Sequence, residues 1–472
     1  MDIWMIVGLV VTIGLIAGLS IYSGTKVKAG ASSKNGAPII AGVIIGTLVG
    51  GSSTVGTAQL AYNYGMAAWW FTLGGGIACL ILALGYVVPL RRQGCPTLVG
   101  MIRKEYGDGA GMAASILNSV GTFINIISQL ISATAVIAVL FPDMGVVPEL
   151  IISAAFMVLY VVFGGTKGAG MVGVVKTVLL YVSMLGCAGV VLALVGGVGP
   201  FADMVHNIDN PEGTHFFSLI ARGAGEDIGA GLSLVLGVLT TQTYAQAVLS
   251  GKTDASARGG ALLSAFLIPP IGVGGILVGL YMRANAALYP GLTAKTALTT
   301  FVTAEMPPLL AGVILGTLFI AVVGTGAGLA LGISSILNND IVKRVTHKFD
   351  DPRKESWLSK VWIVAVLALA CCMSTGSLGD TILQFAFMSM GLRGAVVFLP
   401  LCAALWLPGR IDRKFAMASI IVSPICVLLF GTVFSSLISF DSLFIGILAS
   451  FIIMGIGLIV GRKQPQLGQQ AH

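Results

Sequence analysis

Long apolar segments alternate with short polar loops along the whole chain. Each segment holds roughly 18 or more apolar residues, which as a helix would cross about 30 Å of hydrocarbon. A porin-like barrel would instead need alternating strands of about ten residues. We therefore expect an all-α integral membrane protein without a soluble domain. About thirteen transmembrane helices are predicted, at about 3–22, 37–60, 65–90, 109–140, 145–164, 169–200, 226–250, 258–287, 306–338, 358–376, 380–407, 413–434 and 441–461.

Composition supports the membrane class. The chain of 472 residues is 56% hydrophobic and 10% charged, whereas soluble domains hold about 25% charged residues. Asp2 stands where a signal peptide would be basic, so the first run is expected to be a retained helix. The seven cysteines lie mostly in apolar runs, without a CxxC pair, and are expected to act as small hydrophobes. A nucleic-acid partner is not expected.

The distribution of basic residues predicts the orientation. An odd number of spans places the two termini on opposite sides of the membrane. With the N-terminus outside, nearly all lysines and arginines fall in cytoplasmic segments, and the external loops keep Arg222, Lys295 and Arg283. This one-sided split follows the positive-inside rule and predicts an N-out, C-in, multi-pass protein of the cell (plasma or inner) membrane.

Two blocks, 37–200 and 226–407, hold five predicted spans each. Because five is odd, the first block ends on the side of the membrane opposite to where it began, so the second block has the inverted orientation. Each opens with an interrupted span, GTLVGGSSTVG at Gly46–Gly56 and GVLTTQTY at Gly237–Tyr244. Paired interruptions in inverted halves point to a secondary transporter with a site near the membrane midplane. The remaining segments are an N-terminal helix with a cytoplasmic loop (1–36), an external loop (201–225), and two C-terminal helices with a short cytoplasmic tail (408–472).

The interruptions suggest specific chemistry. Unpaired backbone groups cost several kcal/mol each in hydrocarbon, so an unwound turn persists only where it lines a cavity or binds something. Such a turn offers carbonyl oxygens to a cation and half-helix N-termini to an anion. The alternative is a packing seam, since small residues let two helices approach closely. The first stretch alone leaves both open.

Several motifs resemble those of the sodium:solute symporter family. Met306–Pro308, the following AGVILGTLFIAVVGTG and the terminal NNDIVKR are similar to the family's eighth core helix. The glycine-rich second span running into GTAQLAYNYG also resembles the family pattern. Phe163–Gly168 resembles the double-glycine start of the fifth core helix, and Gln246–Lys252 the end of the sixth. The resemblance covers nearly the whole chain and implies a LeuT-like fold: two inverted five-helix repeats, one helix before them and two after, with alternating access.

The same resemblance implies a sodium site between the first and eighth core helices. Its ligands would be the carbonyls of Gly46, Val49 and Ala321 and the hydroxyl of Thr325. Gly324 stands where many members carry a second hydroxyl, so one ligand of the predicted site is missing. Sodium would be the coupling ion, and no other metal or cofactor is expected.

The fifth core helix departs from the family as well. Gly173 stands where many members have an aspartate, and Lys176 follows one turn later. Lys176 would either snorkel toward the cytoplasmic surface or reach the weakened cation site and replace sodium, with protons as the coupling ion. Both alternatives stay open on sequence alone.

Arg393 lies near the centre of the predicted span 380–407, where an arginine is expensive. It would either bind a carboxylate of the solute through two hydrogen bonds or tie down carbonyls of a broken helix. The other predicted solute-binding residues are Gly51, Ser52, Ser53, Gln129, Gln242 and Tyr244.

The predicted function is sodium-coupled symport of a small polar organic solute, including carboxylates such as an organic acid, an amino acid or a pantothenate-like molecule. A proton-coupled or sodium-independent transporter that uses Lys176 is the alternative. A channel or a non-transporting membrane sensor is the alternative of another class. The four histidines lie in loops or at the chain end, so no enzyme is expected. The expected partners are the solute and the lipid bilayer, and no obligatory protein partner is evident.

Overall fold

The computed structural model describes residues 2–28, 35–164, 169–208, 213–342, 352–375 and 382–460. These residues are almost entirely helical, and the only β pairing among them is a single bridge between Asn35 and Gly251. Part of the predicted double-glycine motif (165–168), most of the polar connector after the NNDIVKR helix, and the tail after Val460 lie outside the described residues.

The helices follow the predicted apolar runs. Those of the first half are α1 (Ile3–Lys28), α2 (Ala37–Leu48), α3 (Thr57–Tyr64), α4 (Trp70–Ile81), α5 (Val87–Arg92), α6 (Leu98–Tyr106), α7 (Asp108–Leu140), α8 (Val146–Gly164), α9 (Ala169–Val195) and α10 (Val198–His206). Those of the second half are α11 (Ala224–Thr240), α12 (Gln242–Leu249), α13 (Asp254–Ala284), α14 (Ala297–Glu305), α15 (Pro308–Ile336), α16 (Pro352–Ser374), α17 (Ile382–Trp406), α18 (Arg413–Thr432) and α19 (Leu443–Val460).

Many of these helices are suited to a bilayer. Within the described ranges, nine helical stretches are long and apolar enough to cross a membrane, and the bent pair α11–α12 would make a tenth. Three shorter apolar helices add to these, at Ile3–Leu19, Ala37–Leu48 and Val146–Val161. The prediction of an all-helical, multi-pass membrane protein is confirmed. The number of thirteen spans, the orientation and the domain boundaries stay predictions.

Both predicted interruptions are breaks in a helix. α2 ends at Leu48, and Val49 has extended backbone angles (φ −86°, ψ 93°). A π-helical turn over Ser52–Gly56 then leads into α3. In the second half, Thr241 is extended (φ −85°, ψ 123°) and the chain bends by 48° between α11 and α12. Each break leaves backbone groups without a helical partner, which local side chains or a ligand must satisfy.

At the predicted cytoplasmic end, Arg91 of α5 caps the end of α12. Its Nη1 donates to the carbonyl oxygens of Val248, Leu249 and Gly251 at 3.0, 3.2 and 3.0 Å. Its Nε donates to Asp254 Oδ1 at 2.6 Å, at the start of α13. The last carbonyls of a helix lack partners within it, so a guanidinium there satisfies them and complements the helix dipole. One side chain thus joins α5, α12 and α13.

The segment before α2 joins the same place through its backbone. The N–H of Asn35 donates to the Ser250 carbonyl at 2.8 Å, and the N–H of Lys252 donates to the Asn35 carbonyl at 2.9 Å. The Asn35 amide also donates to Ser250 Oγ at 3.0 Å. The starts of α2 and α13 and the ends of α5 and α12 are therefore tied together at this end, on the same side of both breaks.

Arg91→Met should destabilise the protein because it leaves three carbonyl oxygens without a charged donor. Hydrogen bonds to charged groups contribute about 1.5–3 kcal/mol each, so we expect a loss of at least about 1.5 kcal/mol. Thermal unfolding in detergent measures it. The matched control is Asp254→Asn, which removes only an ion pair whose aspartate is 53% exposed; it should cost under about 1 kcal/mol. Equal losses in the two variants would show that the cap contributes nothing.

Candidate cation and solute site

The first break lies where α2 and α9 cross with their backbones in contact. A Cβ on Gly173 would overlap the carbonyl group of Gly42. A Cβ on Gly46 would lie 2.8 Å from the Gly173 Cα, which is closer than such atoms approach. Small residues at a crossing permit this proximity between membrane helices. Position 173 therefore has no room for the aspartate that many family members carry there.

Lys176, one turn beyond this crossing, extends its side chain into the first break. Its Nζ donates to the Gly46 carbonyl at 2.6 Å, to the Ala321 carbonyl at 3.0 Å and to Thr325 Oγ1 at 3.1 Å. The residue is only 5% exposed. An ammonium has three N–H donors, and all three have acceptors here. The ammonium thus contacts three of the four atoms predicted to bind sodium, and its side chain does not extend to the membrane surface.

The other two predicted cation residues do not contact the ammonium. Val49 is fully buried, and its N–H continues the helical pattern by donating to the Ile45 carbonyl at 2.8 Å. Gly324 lies against α8, where an added Cβ would be 3.4 Å from the hydroxyl of Tyr160. The structure therefore brings Gly46, Ala321 and Thr325 together around Lys176, with Val49 and Gly324 beside them.

Gln129 of α7 satisfies the polar groups on the other side of the first break. Its Oε1 accepts the N–H of Gly51 at 2.9 Å, and its Nε2 donates to Ser52 Oγ at 3.1 Å and to Asn125 Oδ1 at 3.3 Å. Ser53 Oγ donates to the Leu48 carbonyl at 3.0 Å, which satisfies the end of α2. Four predicted solute residues, Gly51, Ser52, Ser53 and Gln129, thus lie together and hold the break through mutual hydrogen bonds.

The second break has a different arrangement. Gln242 turns toward the start of α6, where its Oε1 accepts the Leu98 N–H at 2.8 Å and its Nε2 donates to the Pro96 carbonyl at 3.3 Å. Gln242 thus bonds to this neighbouring loop, whereas Gln129 bonds at the first break. Tyr244 is buried, with 3% of its surface exposed.

Arg393 of α17 is fully enclosed beside this second break, with 1% of its surface exposed. Its Nη1 donates to Thr241 Oγ1 at 2.9 Å, and its Nε to the Ser389 carbonyl at 3.2 Å. Its Nη2 donates to Ser389 Oγ at 3.2 Å and to Met390 Sδ at 2.9 Å. Ser389 Oγ in turn donates to the Gly121 carbonyl of α7 at 2.6 Å. Thr241 and Ser389 were absent from the predicted site residues; the signal for Thr241 was its place in the interrupted GVLTTQTY stretch.

Gly173→Ala tests whether the glycine contact constrains the distance between α2 and α9, on which the position of Lys176 depends. An added methyl would force α9 away from α2, and overpacking of this kind costs about 1–3 kcal/mol. Gly186→Ala is the matched control on α9, because a Cβ there meets nothing within 4 Å; it should be neutral or slightly stabilising. Thermal unfolding of both variants measures the difference. If Gly173→Ala is as stable as Gly186→Ala, the contact does not constrain the two helices.

Comparison with known proteins identifies the family. The model of the sodium:solute symporter family matches residues 32–423. The high-affinity choline transporter 1 of Drosophila melanogaster is 24% identical over 360 residues, covering 70% of this chain and 53% of that protein. An uncharacterized symporter of Bacillus subtilis, YwcA, is 25% identical over 346 residues, covering 70% of this chain and 66% of that protein. The chain therefore spans about half to two thirds of the length of these relatives.

Solved structures share the fold. A Na+-coupled sialic acid symporter in an outward-open state aligns with a TM-score of 0.75 and 19% identity, over 99% of this chain and 100% of that one. Mhp1 in an inward-facing conformation aligns with a TM-score of 0.54 and 13% identity, over 90% and 91%. The family model covers well over half of the chain, and the described helices are those of a multi-pass membrane protein, so this protein belongs to the sodium:solute symporter family.

Proposed function

We propose that this protein is a secondary active transporter that moves a small polar organic solute across the cell membrane by alternating access. Two broken helices in corresponding positions of inverted halves support the proposal, since such breaks form solute and ion sites in transporters. Buried, hydrogen-bonded polar side chains surround the first break. Polar groups inside a membrane are costly and usually serve a function. Family membership supports sodium as the coupling ion, with Gly46, Ala321 and Thr325 supplying its ligands.

One observation favours a second form of coupling, in which Lys176 replaces sodium. The Nζ of Lys176 lies 2.6–3.1 Å from three of the predicted sodium ligands. A sodium ion needs those same oxygens at closer range, so ion and ammonium exclude each other sterically and by charge repulsion. In this form the lysine supplies the positive charge that holds α2 against α15.

Protonation of Lys176 would then be linked to the conformational cycle. The ammonium donates to α2 through Gly46 and to α15 through Ala321 and Thr325. A neutral amine keeps two N–H groups, so one of the three acceptors loses its hydrogen bond to the lysine when the proton leaves. The loss of one hydrogen bond between the lysine and these helices favours their separation, and it matters most at the Gly46 carbonyl, because the Thr325 hydroxyl still donates to the Ala321 carbonyl at 2.9 Å. We expect the proton to be the ion whose binding and release drives this form of the cycle.

Uptake into proteoliposomes under opposed sodium and proton gradients separates the two forms. A panel of radiolabelled organic acids, amino acids and sugars serves as the solute set. In the sodium form, wild type should accumulate its solute in response to the sodium gradient; in the Lys176 form, it should respond to the proton gradient, and Lys176→Ala should lose that response. Lys414→Ala, which removes an exposed lysine at the start of α18, should behave as wild type. Sodium-driven uptake that is unchanged in Lys176→Ala would exclude a coupling role for Lys176.

Removal of the lysine should also open a sodium site. In Lys176→Ala/Gly324→Ser the ammonium is gone and the hydroxyl that many family members carry is restored, with an ordinary contact of 3.4 Å expected at Tyr160. A ligand stabilises the folded state by RT ln(1 + [L]/Kd), so 100 mM NaCl should raise the melting temperature of the double variant relative to KCl. If Lys176 replaces sodium, wild type should show no such difference. A sodium-specific shift in wild type would contradict replacement of the ion by Lys176.

A further inference from the structure

The geometry points to a carboxylate-binding site at the second break, formed by Arg393 and the first turn of α12. This inference rests on the proposed transport function and specifies the chemical class of the solute, an organic anion or a zwitterion bound through its carboxylate. Two observations carry it: the bonding of Thr241 and the charge balance around Arg393.

Thr241 occupies the N-cap position of α12 without capping the helix. A threonine there ordinarily accepts a hydrogen bond from an N–H of the first turn. No such bond is present. The Thr241 hydroxyl instead donates to the Gly237 carbonyl at 2.5 Å and accepts from Arg393 Nη1 at 2.9 Å. Arg393 thus helps to hold the hydroxyl away, and the first N–H groups of α12 stay available beside a guanidinium, an arrangement that favours anions.

Arg393 lacks a negative partner among the described residues. The acceptors around it are a hydroxyl, a carbonyl and a thioether from Thr241, Ser389 and Met390. Its four hydrogen bonds use four of its five N–H groups, which leaves the second N–H of Nη1 for a ligand. Of the acidic side chains described as buried, Glu149 begins α8 and Asp227 pairs with Arg222 at 2.7 Å near the start of α11. A buried charge is costly unless paired, and a solute carboxylate would compensate this one.

The first break is less suited to an anion. There the Gly51 N–H already has an acceptor, Oε1 of Gln129, and the nearby oxygens bond to one another and to Lys176. At α12 the equivalent N–H groups have no side-chain cap, so the carboxylate of a solute would bind there.

The start of α12 is also accessible. Gln242 and Thr243 are partly exposed, and Gln246 is exposed one turn further along. The opposite approach is covered, because α14 packs against α7 and the first break, and the turn Ala294–Thr296 packs against α3. A solute would therefore approach α12 from the predicted cytoplasmic end, and the break would have to open before the solute reached Arg393, which is enclosed in this conformation.

This charge distribution disfavours a cationic solute such as choline, which the fly relative's name specifies. Lys176 and Arg393 place one positive side chain at each break. Recognition of a quaternary ammonium instead relies on aromatic faces or negative charge. We expect lactate-like acids or amino acids to bind, and choline to be excluded.

The test compares solutes in the wild-type protein first. Lactate, pyruvate, pantothenate, alanine, glucose and choline are screened for accumulation in proteoliposomes. Uptake of the best radiolabelled carboxylate is then measured in the presence of the unlabelled acid or of its primary amide. The amide should inhibit this uptake at least tenfold more weakly than the acid. Accumulation of glucose or choline without any carboxylate, or equal competition by the amide, overturns the inference and leaves transport intact. No accumulation of any solute under any gradient would instead overturn the proposed function.

Variants then assign the effect to Arg393. Arg393→Gln should weaken carboxylate binding at least tenfold, whereas Arg393→Lys, which keeps the charge but loses the bidentate fork, should weaken it less. Arg283→Gln is the matched control, since Arg283 lies over the ring of Tyr62 at 5.3 Å, at the far end of α13. This variant should bind the carboxylate with the affinity of the wild type. Equal affinity in Arg393→Gln and wild type excludes the site. If Arg393→Gln does not fold, the comparison between acid and amide in wild type decides.

Discussion

The contact between α2 and α9 determines what the first break can bind. Because glycines meet at the crossing, the two backbones lie close enough for a lysine one turn away to reach across to the Gly46 carbonyl. A side chain at position 173 would separate the helices and withdraw the ammonium from its acceptors. Glycine at position 173 and the position of the Lys176 ammonium therefore depend on each other, because the close crossing brings the lysine to the Gly46 carbonyl.

The two breaks solve the same problem of unpaired backbone groups in different ways. At the first break, Gln129 and the serines Ser52 and Ser53 satisfy groups at both sides, and Lys176 satisfies the Gly46 carbonyl. At the second, the hydroxyl of Thr241 turns back to α11 and the start of α12 has no side-chain cap. In a membrane interior an uncapped half-helix persists where water or a ligand can reach it. The polar groups of the first break are thus satisfied within the protein, whereas the start of α12 at the second break has no side-chain cap.

Much of this could be predicted because membrane helices leave strong signals. Apolar length identifies spans, and clusters of glycine and hydroxyl residues indicate breaks, so Gly46–Gly56 and Gly237–Tyr244 were identified from composition. The contact of Lys176 stayed one of two alternatives, because its reach depends on the distance between two helices. The binding role of Gln242 stays a prediction, and its bond with the Leu98 N–H could not be predicted because it depends on how the loop before α6 packs against α12. Ser389 was missed because its role depends on Arg393 one turn away and on Gly121 of α7.

A tethered charge has a thermodynamic consequence that a free ion does not have. A sodium ion that enters with the solute adds the free energy of its own gradient to the driving force for transport. This free energy includes about 2.3 kcal/mol per charge for each 100 mV of membrane potential. The ammonium of Lys176 never leaves the protein, so in a cycle where it stays protonated it adds nothing to the driving force. Such a protein could only equilibrate or exchange its solute. Concentrative transport through this site requires that Lys176 gains and loses its proton on opposite sides of the membrane, or that sodium displaces it during the cycle. The second route would be costly, because sodium binding would first have to break the three hydrogen bonds of Nζ.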